Sequence, residues 1–319
     1  MNTTRLLALL AALALFAASC GGDDSESADA GDDAPDTTTA PATTATTEAE
    51  AAPDEPEDDP EFVSAIISLS PTATEMLFAI GAADQVLAVD DLSNYPAETA
   101  AKMQGISAFE PNVESIASLE PDLVITDGTN PDFLSQLSAL GIAHWEGPAA
   151  VDFDDIYTQI EQLGAVTGKV GEAAELVSSM SARVEAVTST ISTPDVPLTY
   201  YHELDPTFYS VSPASFIGSV YTLAGLENIV ADDAGAYPQL SQEFIVDADP
   251  DLIFLACTIY CGETAESVAA RDGWGNLSAV QAGNVIEMND DIASRWGPRT
   301  VDYLEQVAAA VDSLTAAAS

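Results

Sequence analysis

The sequence predicts an α/β protein of two lobes, each with a central, mostly parallel sheet, joined by one long α-helix. Three observations predict this: short apolar runs that alternate with helical patterns, one uninterrupted helical stretch near the middle of the chain, and a segment that occurs twice.

From Phe62 to Thr167 the mostly apolar runs are Ala65–Leu69, Val86–Val89, Leu123–Thr126 and Ala143–Trp145. Strands covered by helices on both faces have no wet side to alternate with, so runs of this kind predict a parallel sheet. The first helix between them is well signed. Ser70 can cap it, Pro71 fills its first position, Met76, Leu77 and Ile80 supply an apolar face, and Gly81 stops it.

Lys169 to Ile191 is different: Val170, Ala173, Ala174, Val177, Met180, Val184, Val187 and Ile191 recur at spacings of three and four with no proline inside. A single helix of that length runs roughly 35 Å, enough to pass from one lobe to the next. Pro194 and Pro197 end it. A second series follows, with strands at Leu198–His202, Leu252–Ala256 and Val285–Met288, a helix at Ser215–Ala224 and a last helix from Arg299. The expected division is an N-terminal lobe at 61–167, a bridging helix at 168–193 and a C-terminal lobe at 194–319.

The repeat supports two copies of one fold. NVESIASLEPDLVIT (Asn112–Thr126) matches SQEFIVDADPDLIFL (Ser241–Leu255) at a constant offset of 129 residues. Each copy opens on a capping residue, places a glutamate two residues later (Glu114, Glu243), and ends with Pro-Asp-Leu entering a buried strand.

Charge narrows the function. Seven Lys and Arg against 53 Asp and Glu give −46, and from Phe62 onward 38 acids face six bases. Such a surface repels phosphate backbones and anionic headgroups, which excludes nucleic acid as a partner and suits a salty medium.

Residues 1–20 have the form of an export signal: Arg5, the thirteen apolar residues Leu6–Ala18, and small residues around Ala17-Ala18-Ser19-Cys20. Thirteen residues are too few to span a bilayer. Cys20 followed by Gly21-Gly22 resembles the lipidation site of a bacterial lipoprotein signal, so Cys20 is expected to carry a lipid and anchor the chain to a membrane. Residues 21–60 are rich in Thr, Ala, Pro, Asp and Glu, with almost nothing to bury. They are expected to form a disordered acidic tether, with a reach on the order of 35 Å.

Cys257 and Cys261 are the only other cysteines, and in an exported chain a pair four apart just beyond a strand is expected to form a disulfide that shapes its loop. His144 and His202 are the only histidines, so no metal site is assigned. His144, beside Trp145, reads as a packed residue, whereas His202 at a strand's carboxyl end reads as a ligand contact. A nucleophile elbow, phosphate loop, dinucleotide glycine cluster and HExxH helix are all missing. Asp90-Asp91 and Asp290-Asp291 read as solvated loop charges. No catalytic residue and no cofactor are assigned.

With these features assembled, four stretches carry a family resemblance: IISLSPTATEMLFAIGAADQVLAVDDLSNYP, NVESIASLEPDLVI, YPQLSQEFIVDADPDLIF and SRWGPRTVDYLEQVA. Together they resemble the helix-bridged solute-binding proteins of ABC importers for cobalamin, ferric siderophores and haem, over essentially Ala65 to Ala310. The resemblance implies two Rossmann-like lobes, a metal chelate held in the cleft, and delivery to a permease and its ATPase. It implies that Glu114 and Glu243, one on each lobe, dock onto permease arginines. Ligand contacts are expected from the loops after the strands: Ser70, Asp91, Asn94, Tyr95, Phe109, Asp127, His202, Tyr209, Tyr237, Arg295 and Trp296. Where cobalamin binders of the family can carry a tryptophan after the strand, this chain has Asp127-Gly128. Two other readings compete: a lipoprotein that binds or signals without transport, and an exported two-lobe enzyme. Neighbouring permease and ATPase genes, and an assay for turnover, discriminate them.

Overall fold

The computed structural model describes residues 62–192 and 194–318; Cys20 and the expected signal and tether lie outside them. The N-terminal lobe runs through β1 (Ile66–Ser68), α1 (Pro71–Ala79), β2 (Val86–Asp90), β3 (Met103–Ile106), α2 (Val113–Ala117), β4 (Leu123–Thr126), α3 (Pro131–Ala139), β5 (His144–Glu146) and α4 (Phe153–Thr167). Its strands lie in the order β3-β2-β1-β4-β5, every neighbouring pair parallel. The bridging helix is α5 (Val170–Thr190).

The C-terminal lobe follows with β6 (Thr199–Glu203), α6 (Phe216–Leu223), β7 (Glu227–Asn228), α7 (Gln242–Ala248), β8 (Leu252–Leu255), α8 (Ala265–Ala269), α9 (Ser278–Ala282), β9 (Val285–Glu287), α10 (Asp290–Ser294) and α11 (Thr300–Ala318). Its sheet is again parallel, in the order β7-β6-β8-β9. The fold is therefore the expected α/β pair of lobes. Two strands had no sequence signal: three of the four residues of β3 are exposed, and β7 is only two residues long, so neither presents a buried apolar run.

Alternation along the central strands sends successive side chains to opposite faces of each sheet. Ile66 and Ile125 point into a cluster that also takes in Met76 and Leu77 of α1 and its capping residue Ile80, Ile156 and Ile160 of α4, Met180 of α5, and Tyr221, Leu252, Phe254 and Val307 of the other lobe. That cluster is continuous across both lobes. Ile67 and Val124 face instead an outer cluster with Phe133 and Leu137, and Ile253 and Leu255 face another with Tyr201 and Trp274. Helices α4 and α5 meet closely enough at Gly164 that a Cβ there would lie 2.5 Å from that of Ala173.

The repeated segment builds the same device twice. Asn112 and Ser241 accept hydrogen bonds from the third residue of their helices, at 2.8 and 3.1 Å. Positive-φ residues sit at matching positions after both helices, Glu120 (φ 51°) just beyond α2 and Asp249 (φ 43°) as the cap of α7. The aspartate of each Pro-Asp-Leu then clips the start of the neighbouring first strand. Asp122 accepts from the Ser64 and Ala65 N–H groups at 2.9 and 3.0 Å, and Asp251 from the Thr199 N–H and hydroxyl at 2.8 and 2.9 Å. Those bonds hold the Asp122 carboxyl below the usual carboxylate range, the one from Ser64 contributing most.

His202 corrects the sequence reading. Its ring is fully buried, with Nδ1 2.7 Å from the Tyr221 hydroxyl, which the Tyr303 hydroxyl also approaches. The side chain points between α6 and α11 into the core rather than along the strand toward a ligand. Burial pushes the His202 pKa down to about 3. In the unfolded chain the imidazole titrates at about 6.5, so between these values the unfolded state binds the extra proton, and stability falls as the pH drops through that window. The slope from this one group approaches about 1.4 kcal/mol per pH unit. Denaturant titrations of wild type and His202→Gln at several pH values between 4 and 7 should show the gap between the two narrowing as the pH falls; a pH-independent difference would rule the account out.

Candidate functional site

In both sheets the strand order reverses at the centre, between β1 and β4 and between β6 and β8. Loops leaving adjacent strands there run to opposite sides and open a crevice at the carboxyl ends. A cavity of about 750 Å³ lies there, lined from both lobes. Leu69 and Ser70 enter it after β1, Leu92 after β2, Phe109 after β3, Asp127 after β4, Tyr260 after β8, and Asp291, Arg295 and Trp296 after β9. An apolar, aromatic lining with a few polar groups, at this volume, is the ordinary composition of a small-molecule site. Five of the eleven expected contacts, Ser70, Phe109, Asp127, Arg295 and Trp296, are among the lining residues.

The local chemistry explains their positions. Ser70 is the cap of α1, accepting from the Ala73 N–H at 3.3 Å. Asp127 closes a tight turn by accepting from the Thr129 N–H and hydroxyl at 3.0 and 2.8 Å. Asp91 braces the Phe109 loop through the Ala108 N–H at 2.9 Å, leaving the phenyl ring 80% exposed at the mouth.

Below the cavity the lobes are tied by ions. Glu75 of α1, with a side chain only 2% exposed, receives Arg295 Nη1 at 2.9 Å and Arg299 Nε at 2.8 Å, with a second bond from Arg299. Arg295 also donates to the Asn94 side chain, the Leu92 carbonyl and Asp291, at 2.9, 3.0 and 2.8 Å. Asn94 returns a bond to Asp291 at 2.9 Å. Arg295 thus lines the cavity, but its charge is already spent inside the protein, and Asn94 belongs to the same knot. Glu75 gave no signal in the sequence: it sits in the apolar stretch ATEMLFAI, where a lone acid reads as the solvated edge of a helix.

Other residues singled out from the sequence lie elsewhere. Tyr95 lies outside this cavity, its ring 3.9 Å from the Arg299 guanidinium, and lines a separate groove of about 520 Å³ with Phe78, Met180 and Pro298. Tyr209 and Tyr237 are exposed on C-lobe loops outside the lining, joined through the Tyr209–Gln239 bridge and the Ser210 N–H to Pro238 carbonyl bond at 2.9 Å. Asp90 and Asp290, read as solvated, are 0% and 3% exposed. Asp90 anchors the next turn through the Leu92 and Ser93 N–H groups, both at 2.8 Å, and burial pushes its carboxyl above the usual range. Cys257 and Cys261 are joined as a disulfide, their Cα atoms 5.1 Å apart. Glu114 and Glu243 are exposed in the first turns of α2 and α7. Among the described residues no group of three His, Cys, Asp or Glu side chains is placed to hold a metal ion, and no helix is long and apolar enough to cross a membrane.

Two parallel-sheet lobes joined by a single helix, with a cavity at the carboxyl ends of both sheets, define a two-lobe solute-binding protein. The chain belongs to the periplasmic binding protein family, whose model matches residues 66–292. It is 30% identical over 254 residues to an uncharacterized ABC transporter substrate-binding lipoprotein, YvrC, of Bacillus subtilis, spanning 77% of this chain and 79% of that one. Likewise it is 30% identical over 260 residues to a cobalamin-binding protein of Halobacterium salinarum, spanning 78% of this chain and 70% of the relative. The crystal structure of the periplasmic vitamin B12 binding protein BtuF of Vibrio cholerae superposes with a TM-score of 0.66 at 28% identity, covering 78% of this chain and 97% of that one. The protein is accordingly an extracytoplasmic binding protein and not an enzyme.

Removing one partner of a buried ion pair leaves uncompensated charge, which costs roughly 3–5 kcal/mol. Glu75→Gln should therefore lower the unfolding free energy by about 3 kcal/mol in a urea titration. A loss below about 1 kcal/mol, the usual value of an exposed pair, would mean the knot does not hold the lobes.

Proposed function

We propose that this protein is the lipid-anchored substrate-binding component of an ABC importer, capturing a metal chelate between its lobes and delivering it to the permease. The observation that carries this reading is the cavity itself, flanked by Phe109 and Trp296 and built where strand loops of both lobes converge. Flat aromatic faces suit a large, flat ligand. A corrinoid is favoured over haem or a ferric siderophore by the named ligands of the Halobacterium and Vibrio relatives.

Docking is assigned to Glu114 and Glu243. They occupy matching positions in the repeat, in the first turns of helices that precede equivalent strands. Paired acids on two similar lobes suit paired arginines on a two-fold permease, and bidentate arginine contacts would make the recognition geometric as well as electrostatic. Cys20 is the proposed anchor.

Titration calorimetry against cyanocobalamin, haemin and ferric siderophores should find one chelate binding with Kd below about 1 μM, and failure of all of them would overturn the reading. With that chelate, Glu114→Arg and Glu243→Arg should each change Kd less than about twofold while uptake through the reconstituted importer falls about tenfold or more. Lost binding, or unchanged uptake, would sink the docking assignment. In cells, Cys20→Ala should abolish metabolic lipid labelling and release the protein from the membrane fraction; persistent labelling would refute the anchor.

A further inference from the structure

The repeat isolates a piece of the C lobe that has no counterpart in the N lobe. After β4 ends at Thr126, the cap of the next helix follows at Asn130; after β8 ends at Leu255, the corresponding cap is Thr264. The C-lobe connection is therefore five residues longer, and it lies at the ligand-facing end of the sheet.

The added residues form a hook that is fixed twice. Its outside is closed by the Cys257–Cys261 disulfide. On the inside, the buried Asp290 carboxylate accepts from the Thr258, Ile259 and Tyr260 N–H groups at 2.7, 3.0 and 2.9 Å, and from the Thr258 hydroxyl at 2.9 Å. What this rigid hook holds out is apolar: Ile259 and Tyr260 are 58% and 61% exposed. Tyr260 lines the cavity, donates its phenol proton to Asp291 at 3.0 Å, and receives the Asn94 amide of the N lobe at 3.4 Å. A large aromatic side chain displayed on an over-determined loop at the mouth of a cavity is preorganised for a partner, because no ordering remains to be done on binding.

We propose that Tyr260 is a specificity-determining residue of this cleft: the hook presents its ring to the flat face of the bound chelate and its hydroxyl oxygen to donors on the chelate's edge, while its bond to Asn94 positions the N-lobe loop. The ligand contact rests on the transport reading; the tie to Asn94 does not. Two acids grip the hook from its own lobe, Asp290 at its backbone and Asp291 at its phenol, so both the ring and the hydroxyl are held in place before ligand arrives.

The test uses the full-length protein with Tyr260→Ala, Tyr260→Phe and the double change Cys257→Ser and Cys261→Ser, each matched to wild type by circular dichroism and melting temperature. In hydrogen exchange of the ligand-free protein, amides of Leu92 to Tyr95 should exchange faster in all three. In titrations with cyanocobalamin, haemin and ferric siderophores, Tyr260→Ala should weaken the chelate that wild type prefers by about tenfold or more, as loss of a central aromatic contact does. Tyr260→Phe keeps the ring and should lose no more than about threefold. Equal affinity in wild type and Tyr260→Ala would overturn the specificity role even if the protein binds a chelate. If wild type binds none of the probes, the transport reading and the ligand contact fall together, and exchange at Leu92 to Tyr95 then decides the tie: unchanged rates in Tyr260→Ala overturn it, faster rates support it.

Discussion

One buried carboxylate, Glu75, sets the relation between the lobes on which the cavity depends. It is the N-lobe end of a knot whose other end is Arg295 and Arg299, and its desolvation is tolerable only because two guanidinium groups meet it. The same residues fix the cavity floor, since Arg295 reaches the Leu92 carbonyl and Asn94 from the loop after β2. An apolar cluster that runs unbroken from α1 through α5 to α11 backs the knot. The two lobes therefore share a core as well as a helix, and large rearrangements of one against the other would have to expose it.

The architecture was legible because the physics that forms it is local. Runs such as Leu123–Thr126 and Leu252–Leu255 are fully buried, and their sequence says so; the α5 periodicity carries through 21 residues. β3 is held by pairing with β2 at a sheet edge, a tertiary cause that leaves no apolar run to read. At the site, residues placed by backbone position do line the cavity: Ser70 caps the helix that leaves its strand, and Asp127 closes the turn that leaves its own. Residues placed by side-chain direction do not. His202 ends a strand too, but its ring turns to Tyr221, and Tyr95 turns to Arg299. Glu75 was invisible because its partners lie 220 and 224 residues away along the chain.

Duplication explains the symmetry of the molecule, and departure from it explains where the lobes specialise. Caps, left-handed exits and aspartate clips recur at matched positions, each a backbone solution that tolerates few alternatives. The copies diverge after the central strand, where one lobe turns at once into a helix and the other carries the disulfide-closed hook. A binding protein that must change its ligand without changing its frame has that connection free to vary.

The scarcity of positive charge has its own consequence. Every base among the described residues is engaged internally: Lys102 on the Val86 carbonyl, Lys169 beside Glu172, Arg183 on Asp302 and Glu305, Arg271 on Glu203 and Glu263, and the two arginines on Glu75. Between Arg5 and Lys102 the chain has no lysine or arginine at all. A protease that cuts after basic residues therefore finds no target in the proposed tether and, in the folded lobes, only side chains already held by acids or carbonyls. Outside the cell, where such enzymes circulate, cleavage of the lobes would be governed by how often they open rather than by how often the enzyme is encountered.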